Sequence, residues 1–263
     1  PGTKVHGASF MAAAVARGAV AVVTDEAGAA LTSALPTLVV KDVRIAGAMI
    51  ASSLYKDPTR DLAAIGITGT NGKTTVTTLL YQLFAGAGRE TGLIGTIETR
   101  IGSEILKSVR TTPEAPELQA LSAVMRERHM RALVMEVSSH ALSMNRVKAS
   151  HFAMVGFTNL SQDHLDFHKD MESYFTAKAK LFTYEYADFG FINIDNEYGA
   201  KLASECQIPV ATLSRSNTVA QWHFTAIHPI SSGAEISIRG NGGILIESKT
   251  TLLGGYNLDN LLM

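Results

Sequence analysis

The chain has 263 residues, of which 46% are hydrophobic and 18% are charged, and its formal net charge is -1. This composition excludes an intrinsically disordered chain, and the length is ample for a buried core. Because the charge is close to zero, it provides no general attraction to nucleic acid or to an anionic membrane, and any bound anion must be held by a local site.

The first 57 residues predict a small α/β unit. The alanine-rich residues 8–18 favour a helix, 19–23 and 38–40 favour strands, and 43–54 favour a helix with an apolar face. Asp57-Pro58-Thr59 interrupts this pattern, because proline ends a helix and restricts the residue before it. We therefore place a domain boundary there, with residues 1–57 before it and 58–263 after it.

Beyond this boundary, strands alternate with helices. Strands are predicted at 62–67, 132–137, 152–158 and 190–194, and helices at about 74–85, 115–129 and 171–182. Alternation of this kind is typical of βαβ units around a mostly parallel sheet that is flanked by helices.

The end of the chain has a different texture. Short alternating strands between Trp222 and Leu253, with a glycine-rich turn at 240–243, predict a small antiparallel portion. The last residues, up to Met263, resemble the first turns of a helix, and the chain begins at Pro1 without a methionine. We expect a fragment of a longer protein.

The strongest motif is the segment IGITGTNGKTT at residues 65–75, which follows an apolar strand and opens a helix, as a phosphate-binding loop does. Its glycines let backbone N–H groups face phosphate oxygens, Lys73 adds a positive charge, and the Thr74 hydroxyl can ligate Mg²⁺. The general pattern G-x-x-x-x-G-K-[ST] would require glycine at Ile67, and the alternative is an ordinary glycine-rich turn. The predicted nucleotide-binding residues here are Gly69, Thr70, Asn71, Gly72, Lys73, Thr74 and Thr75.

Polar groups also follow the next two predicted strands. Residues 131–135 lead into Glu136 and a serine pair, and residues 152–157 lead into a loop that contains His164. Ligands of α/β sheets bind beyond the carboxyl ends of the strands, so a carboxylate and an imidazole there would form a metal and catalytic cluster. From spacing alone, the alternatives are that Glu136 is a surface carboxylate and that His164 is a hydrogen-bonded loop histidine.

At these residues the chain resembles the Mur ligase family, in particular its tripeptide-forming member. The similar segments are TGTNGKTT at 68–75, EVSSH at 136–140, TNLSQDHLD at 158–166 and YFTAK at 174–178. The resemblance runs from about Gly2 to Asn260 and implies a three-domain enzyme. Residues 1–57 would end its N-terminal UDP-substrate-binding domain, residues 58–263 would form the central P-loop ATPase domain, and the C-terminal amino-acid-binding domain would be absent.

The resemblance also implies the reaction. It predicts an ATP-dependent amide ligase that adds the third amino acid, meso-diaminopimelate or L-lysine, to UDP-N-acetylmuramoyl-L-alanyl-D-glutamate through an acyl phosphate. ATP and Mg²⁺ would be the cofactors, and no nucleic acid or membrane partner is expected of what would be a monomer. The sequence leaves open which of the two amino acids is added.

Residue roles carried over from the family go to positions that match its motifs. The implied catalytic residues are Lys73, Glu136, His164 and Lys178, and the implied metal ligands are Thr74, Glu136, His164 and a carbamylated Lys178. Peptide-substrate contacts would be Thr111, Thr112, Ser138 and Arg146, and nucleotide contacts would include Asn257 and Asn260.

Two of these positions, and the nearby Met144, carry a reservation. Judged alone, Lys178 would be an exposed helix lysine, and Thr112 before Pro113 would be the N-cap of a helix. Met144 stands where some relatives have a glutamine that contacts the substrate, and methionine cannot make an amide's hydrogen bonds.

Two alternatives to this function remain. Folylpolyglutamate synthase shares the activation chemistry, but its loop usually continues with glycine and serine where Thr74 and Thr75 stand. A nucleotide-binding module without ligase activity is the other alternative. The single cysteine, Cys206, excludes an internal disulfide framework, and no apolar run approaches the roughly 20 residues that span a bilayer, so we expect a cytoplasmic protein.

Overall fold

The computed structural model describes residues 5–31 and 35–263, and the predicted α/β class with a mostly parallel sheet is confirmed. The strands are β1 (Val22–Thr24), β2 (Thr37–Val39), β3 (Ala63–Thr68), β4 (Thr91–Ile94), β5 (Glu98–Ile101), β6 (Glu104–Lys107), β7 (Ala132–Glu136), β8 (Phe152–Phe157), β9 (Ala187–Asn193), β10 (Val210–Ser214), β11 (Trp222–Ile230), β12 (Gly233–Arg239) and β13 (Leu245–Thr250). The α-helices are α1 (Met11–Ala16), α2 (Glu26–Ala29), α3 (Val43–Tyr55), α4 (Pro58–Asp61), α5 (Lys73–Gly86), α6 (Ala115–Glu127), α7 (Ser139–Ser143), α8 (Met171–Ala179), α9 (Glu197–Glu205) and α10 (Gly255–Leu262).

The first part of the chain is less regular than predicted. Over 8–18 a 3-10 turn, Gly7–Phe10, precedes the short α1, and Gly18 ends the helical segment with φ +93°. The strand predicted at 19–23 begins only at Val22, because Val22–Thr24 are the residues that pair with Thr37–Val39. Helix α3 matches its prediction and is capped by the Asp42 carboxylate, which accepts from two backbone N–H groups.

Eleven strands form the main sheet, in the order β13-β12-β11-β10-β9-β8-β3-β7-β4-β5-β6. The strands from β11 to β4 are parallel, and each edge is extended by antiparallel strands. The antiparallel portion at β11–β13 was predicted, whereas the one at β4–β6 was not. The predicted parallel strands all exist, within a few residues of their expected bounds.

Burial at the centre of the sheet explains why the parallel strands could be predicted from the sequence. Strand β7 is buried at all five residues and β3 at its last five, because helices cover both faces of the parallel sheet. Helix α8 buries Tyr174 and Phe175, and the predicted helix 171–182 changes at Lys180 into a 3-10 turn that buries Leu181 and Phe182.

Strand β3 is the point where the strand order reverses. It lies between β7 and β8, so the segments that follow these three strands meet at one edge of the sheet. Such a switch point forms a crevice in which α/β proteins bind ligands. Among the described residues, no helix has both the length and the apolar character needed to cross a membrane.

Candidate active site

The loop between β3 and α5 needs glycine at two positions. Gly69 and Gly72 have φ values of +144° and +89°, which side chains rarely adopt. A Cβ on Gly69 would lie 1.9 Å from Thr158 Oγ1, and one on Gly72 would lie 2.2 Å from Asn260 Oδ1. The backbone of the loop can therefore approach its surroundings, and a ligand, more closely than a larger residue would allow.

The end of β8 supports this loop from the side. Thr70 N–H donates to Asn159 O at 2.9 Å, and Asn71 N–H donates to Asn159 Oδ1 at 3.0 Å. Thr158 Oγ1 donates to Asn71 O at 2.6 Å. Thr158 and Asn159 were not predicted as site residues, although their place directly after a strand beside β3 was a signal for them.

Two lysines donate to the same loop carbonyl. Lys73 Nζ donates to Gly69 O at 2.9 Å and to Thr70 O at 2.8 Å, and Lys178 Nζ donates to Gly69 O at 2.8 Å. Lys178 is only 1% exposed and lies 4.6 Å from the centre of the Tyr174 ring, so the interpretation as an exposed helix lysine is wrong. Burial lowers the pKa of Lys178 well below its ordinary value, and the neighbouring Lys73 lowers it further.

Glu136 is 1% exposed, so the alternative of a surface carboxylate is also wrong. Thr74 Oγ1 donates to Glu136 Oε1 at 3.0 Å, which joins the first turn of α5 to the end of β7. Thr96 donates to the same carboxylate twice, from its backbone N–H to Oε1 at 2.7 Å and from its hydroxyl to Oε2 at 3.1 Å. Thr96 was not predicted as a site residue.

A cavity of about 270 Å³, the carboxylate cavity, brings many of the predicted residues together. Its lining consists of Thr70, Asn71, Gly72, Lys73, Thr74, Thr75, Thr96, Thr111, Glu136, Ser138 and His164. His164 has a positive φ of +53° and a side chain that is 46% exposed, and its ring is 5.0 Å from that of His140. Lys178, Thr112 and Arg146 are not part of this lining.

The interpretation of Thr112 as a helix N-cap is wrong. Helix α6 begins at Ala115 after Glu114, with Pro116 in its first turn. Thr112 is 0% exposed, and its hydroxyl donates to Glu136 O at 2.9 Å and accepts from Ser138 N–H at 3.1 Å. Because this bridge uses the hydroxyl, Thr112 fixes the backbone around the site.

Arg146 lies beside the cavity and is held by an acidic partner. Its Nε is 3.0 Å from Glu114 Oε1, an ionic contact in which the N–H is not aligned for a hydrogen bond. Its terminal nitrogens reach Thr112 O at 3.4 Å and the sulfur of Met144 at 3.4 Å. Methionine at position 144 thus packs against the guanidinium.

A second cavity of about 480 Å³, the asparagine cavity, also borders the loop. Asn257 and Asn260 of α10 line it together with Asn71, Gly72 and Thr75. Asn257 is oriented by donating from Nδ2 to Leu253 O at 2.7 Å. The carboxamide groups can both donate and accept hydrogen bonds, which suits recognition of a heterocyclic base.

The carboxylate cavity is better suited to Mg²⁺ than to a metal ion whose ligands all come from protein side chains. Among the described residues, no three His, Cys, Asp or Glu side chains are grouped to hold a metal. Mg²⁺ usually takes one or two carboxylates and completes its shell with phosphate and water oxygens. The Thr74 hydroxyl and Glu136 carboxylate, 3.0 Å apart, are oxygen groups of this kind beside a phosphate loop.

Comparison with known proteins identifies the family. Residues 67–263 match the Mur ligase middle domain. The chain belongs to the Mur ligase family. It is 48% identical over 265 residues to UDP-N-acetylmuramoyl-L-alanyl-D-glutamate--2,6-diaminopimelate ligase of Streptomyces coelicolor. The alignment covers 100% of this chain and 52% of that protein. The chain therefore spans about half the length of the curated relatives it matches.

Solved structures show that the Mur ligase fold is shared. A structure of a UDP-N-acetylmuramoyl-L-alanyl-D-glutamate--2,6-diaminopimelate ligase matches with a TM-score of 0.83 and 28% identity, covering 97% of this chain and 52% of that one. A MurF ligase from Thermotoga maritima in complex with ADP matches with a TM-score of 0.68 and 16% identity, over 100% of this chain and 56% of that one. At that identity the second likeness shows the fold alone.

Proposed function

We propose that the full-length protein is an ATP-dependent ligase that adds 2,6-diaminopimelate to UDP-N-acetylmuramoyl-L-alanyl-D-glutamate. The observation that carries the proposal is the contact of the Glu136 carboxylate with the Thr74 hydroxyl, in a cavity that also holds Lys73 and Thr111. The predicted phosphate-binding, metal-binding and peptide-binding groups thus share one surface. The name of the Streptomyces coelicolor relative supports both substrates, including the choice of diaminopimelate over lysine.

In the proposed reaction, a γ-carboxylate oxygen of the D-glutamate attacks the γ-phosphorus of ATP, and ADP leaves with the bridging oxygen. The amine of diaminopimelate then attacks the carbonyl carbon of the acyl phosphate. Inorganic phosphate leaves with the electron pair of the C–O bond, and the nitrogen gives up a proton. Both steps depend on positioning and charge neutralisation more than on a protein nucleophile.

The phosphate end of ATP would lie in the carboxylate cavity. Lys73 would move from its loop carbonyls to the β- and γ-phosphates, and N–H groups of the loop and the start of α5 would add donors. Thr74 and Glu136 would hold Mg²⁺, with His164 and a carbamylated Lys178 as the further metal residues. When bound, Mg²⁺ would neutralise charge on the phosphates.

The substrates would extend in two directions from this point. Thr111, Ser138 and Arg146 would contact the peptide, and Thr112 would hold the backbone between them. Asn257 and Asn260 would face the nucleoside in the asparagine cavity. The nucleotide substrates and the lone cysteine fit a reducing, ATP-containing compartment, so we propose that the enzyme acts in the cytoplasm. We also propose that it is a monomer.

The direct test is product formation by the full-length protein. Release of ADP and phosphate is expected to require UDP-N-acetylmuramoyl-L-alanyl-D-glutamate and meso-diaminopimelate together, with a UDP-linked tripeptide identified by mass. L-lysine should replace diaminopimelate poorly. Turnover with a folate and glutamate would instead indicate folylpolyglutamate synthase, and nucleotide binding without turnover would indicate a binding module.

In the same assay, Lys73→Ala should lower turnover by at least about 100-fold, because it removes a charge aimed at the transferred phosphoryl group. The free energy of unfolding should change by about 1 kcal/mol or less, since the hydrogen bonds of Lys73 and the cost of its burial oppose each other. Lys201→Ala, which removes a half-buried lysine paired with Glu172, is the matched control and should retain activity.

A further inference from the structure

Thr96 donates a hydrogen bond to each oxygen of the Glu136 carboxylate. It lies in the tight turn between β4 and β5, which is closed by Gly95 N–H donating to Glu98 O at 3.1 Å. The Thr96 N–H and hydroxyl donate to Oε1 and Oε2 at 2.7 and 3.1 Å. One hydrogen bond would leave the carboxylate plane able to rotate, whereas two donors from one rigid turn fix it.

The remaining capacity of this carboxylate is small. An ionised carboxylate has about four acceptor positions, two on each oxygen. Oε1 accepts from Thr96 N–H and from Thr74 Oγ1, and Oε2 accepts from the Thr96 hydroxyl. In the part of the chain that the structure describes, one position on Oε2 is therefore left for a cation. Thr96 thus determines which lone pair of Glu136 is available.

Thr96 also connects this carboxylate to the predicted peptide contact. Its hydroxyl is 3.0 Å from Thr111 Oγ1. A threonine hydroxyl has a single proton, and Thr96 uses that proton on Glu136, which can only accept when ionised. Thr111 must therefore donate to Thr96. The direction of the chain is Thr111 to Thr96 to Glu136, and lone pairs of Thr111 remain for a donor on the substrate.

We propose that Thr96 is a positioning residue that orients Glu136 and couples the peptide contact at Thr111 to the metal site. The inference rests on the proposed function for the roles of Thr111 and Glu136. A substrate group bound at Thr111 restrains its hydroxyl, and Thr96 passes that restraint to the carboxylate. By linkage, a cation held by Glu136 strengthens peptide binding by the same factor.

The first experiment measures Mn²⁺ binding to the full-length protein by electron paramagnetic resonance in the presence of ADP. Thr96→Val keeps the shape and the backbone N–H but removes the hydroxyl, and should weaken Mn²⁺ binding about tenfold or more. Its affinity for ADP without metal should match wild type within about twofold, and Thr96→Ser should restore most of the Mn²⁺ affinity. The matched control is Thr99→Val, whose hydroxyl contacts Ser108 Oγ at 3.4 Å in the same hairpin.

Gly95→Ala provides an independent perturbation. A Cβ at this position would lie 2.7 Å from Glu136 Oε1 and would displace the carboxylate while leaving its donors in the chain. The expected result is the same weakening of Mn²⁺ binding as in Thr96→Val. This variant also keeps the inference testable should Thr96→Val fail to fold.

The second experiment measures the affinity for UDP-N-acetylmuramoyl-L-alanyl-D-glutamate with and without Mg²⁺ and a non-hydrolysable ATP analogue. The factor by which they strengthen peptide binding in wild type should fall toward one in Thr96→Val. Wild-type Mn²⁺ affinity in both Thr96→Val and Gly95→Ala would overturn the positioning role, even if the enzyme makes tripeptide. An unchanged factor would overturn the coupling. Mn²⁺ loss in the variants of a protein that makes no tripeptide would support positioning while the proposed function fails.

Discussion

Two lysine amines meet one carbonyl oxygen at the phosphate loop, and this arrangement sets the chemistry of Lys178. The Nζ atoms of Lys73 and Lys178 are 2.9 and 2.8 Å from Gly69 O. Burial lowers the pKa of both side chains, more strongly for Lys178. Since a charged ammonium next to Lys73 is disfavoured, the neutral amine, which is the form that adds CO₂, is accessible at Lys178 at lower pH than for an ordinary lysine.

At the residue scale, we therefore predict that Lys178 is carbamylated when nucleotide and Mg²⁺ are bound. The carbamate would replace a positive group by an anionic oxygen ligand, the type that Mg²⁺ prefers. Lys178→Ala in the full-length protein should lose at least about 100-fold in ligation, and added acetate or formate should restore part of it. ¹³C-bicarbonate should give a carbamate NMR signal in wild type and none in the variant. Full activity of Lys178→Ala without rescue would contradict the metal role.

At the scale of elements, a single buried hydroxyl connects the segment before α6 to the end of β7. Thr112 Oγ1 donates to Glu136 O and accepts from Ser138 N–H, at 2.9 and 3.1 Å. Thr112→Val keeps the side-chain volume but leaves the buried Glu136 carbonyl and the part-buried Ser138 N–H without this partner. A buried polar group left unpaired costs about 1–3 kcal/mol, so the free energy of unfolding should fall by about 2 kcal/mol.

Urea denaturation measures this change, and Thr112→Ser, which keeps the hydroxyl, is the control. Ligation should also decrease in Thr112→Val, because Glu136 and Ser138 both lie at the carboxylate cavity. A loss below about 0.5 kcal/mol with normal activity would show that the bridge is dispensable.

The elements that the sequence predicted well are those whose burial leaves a clear pattern. Strand β7 is a continuous apolar run because both of its faces are covered, and it delivers Glu136 at its end. Strand β6 is exposed at all four residues, and β4 and β5 have only four residues each, so the antiparallel strands β4–β6 were missed. Helix α7 has only five residues, too few for a helical period to be visible.

Site residues in local sequence motifs could be predicted, whereas those that act through contacts across strands could not. Lys73, Thr74 and Glu136 are predictable because each stands at a fixed offset from a strand end or in a phosphate-loop motif. Thr96 is 40 residues from Glu136 in sequence, and they meet only because β4 and β7 are neighbours in the sheet. Thr158 supports Asn71 from a distance of 87 residues for the equivalent reason in β8 and β3. To predict a residue that acts through a contact across strands, one needs the strand order and register of the sheet, and these cannot be read from the sequence.

At the scale of the whole molecule, the strand order brings the groups of the proposed site to one edge of the sheet. The segments after β3, β4, β7 and β8 meet there, and the carboxylate cavity and the asparagine cavity both border the phosphate loop. The groups that we propose for nucleotide binding all lie within the described residues. Ligation needs an amine presented to an acyl phosphate, and the relatives that are named as ligases are about twice as long as this chain.

We therefore predict that the 263-residue chain binds ADP with Mg²⁺ but forms no UDP-linked tripeptide. Closure of further domains normally excludes water and completes sites of this kind, so binding should be weaker than in the full-length protein. Calorimetry with ADP and mass analysis of reaction mixtures measure the two properties. Lys73→Ala in the same chain should abolish the calorimetric signal, which places the binding at the loop. Tripeptide formation by the 263-residue chain at a rate near that of the full-length protein would contradict the prediction, because it would mean that these residues alone present the amine.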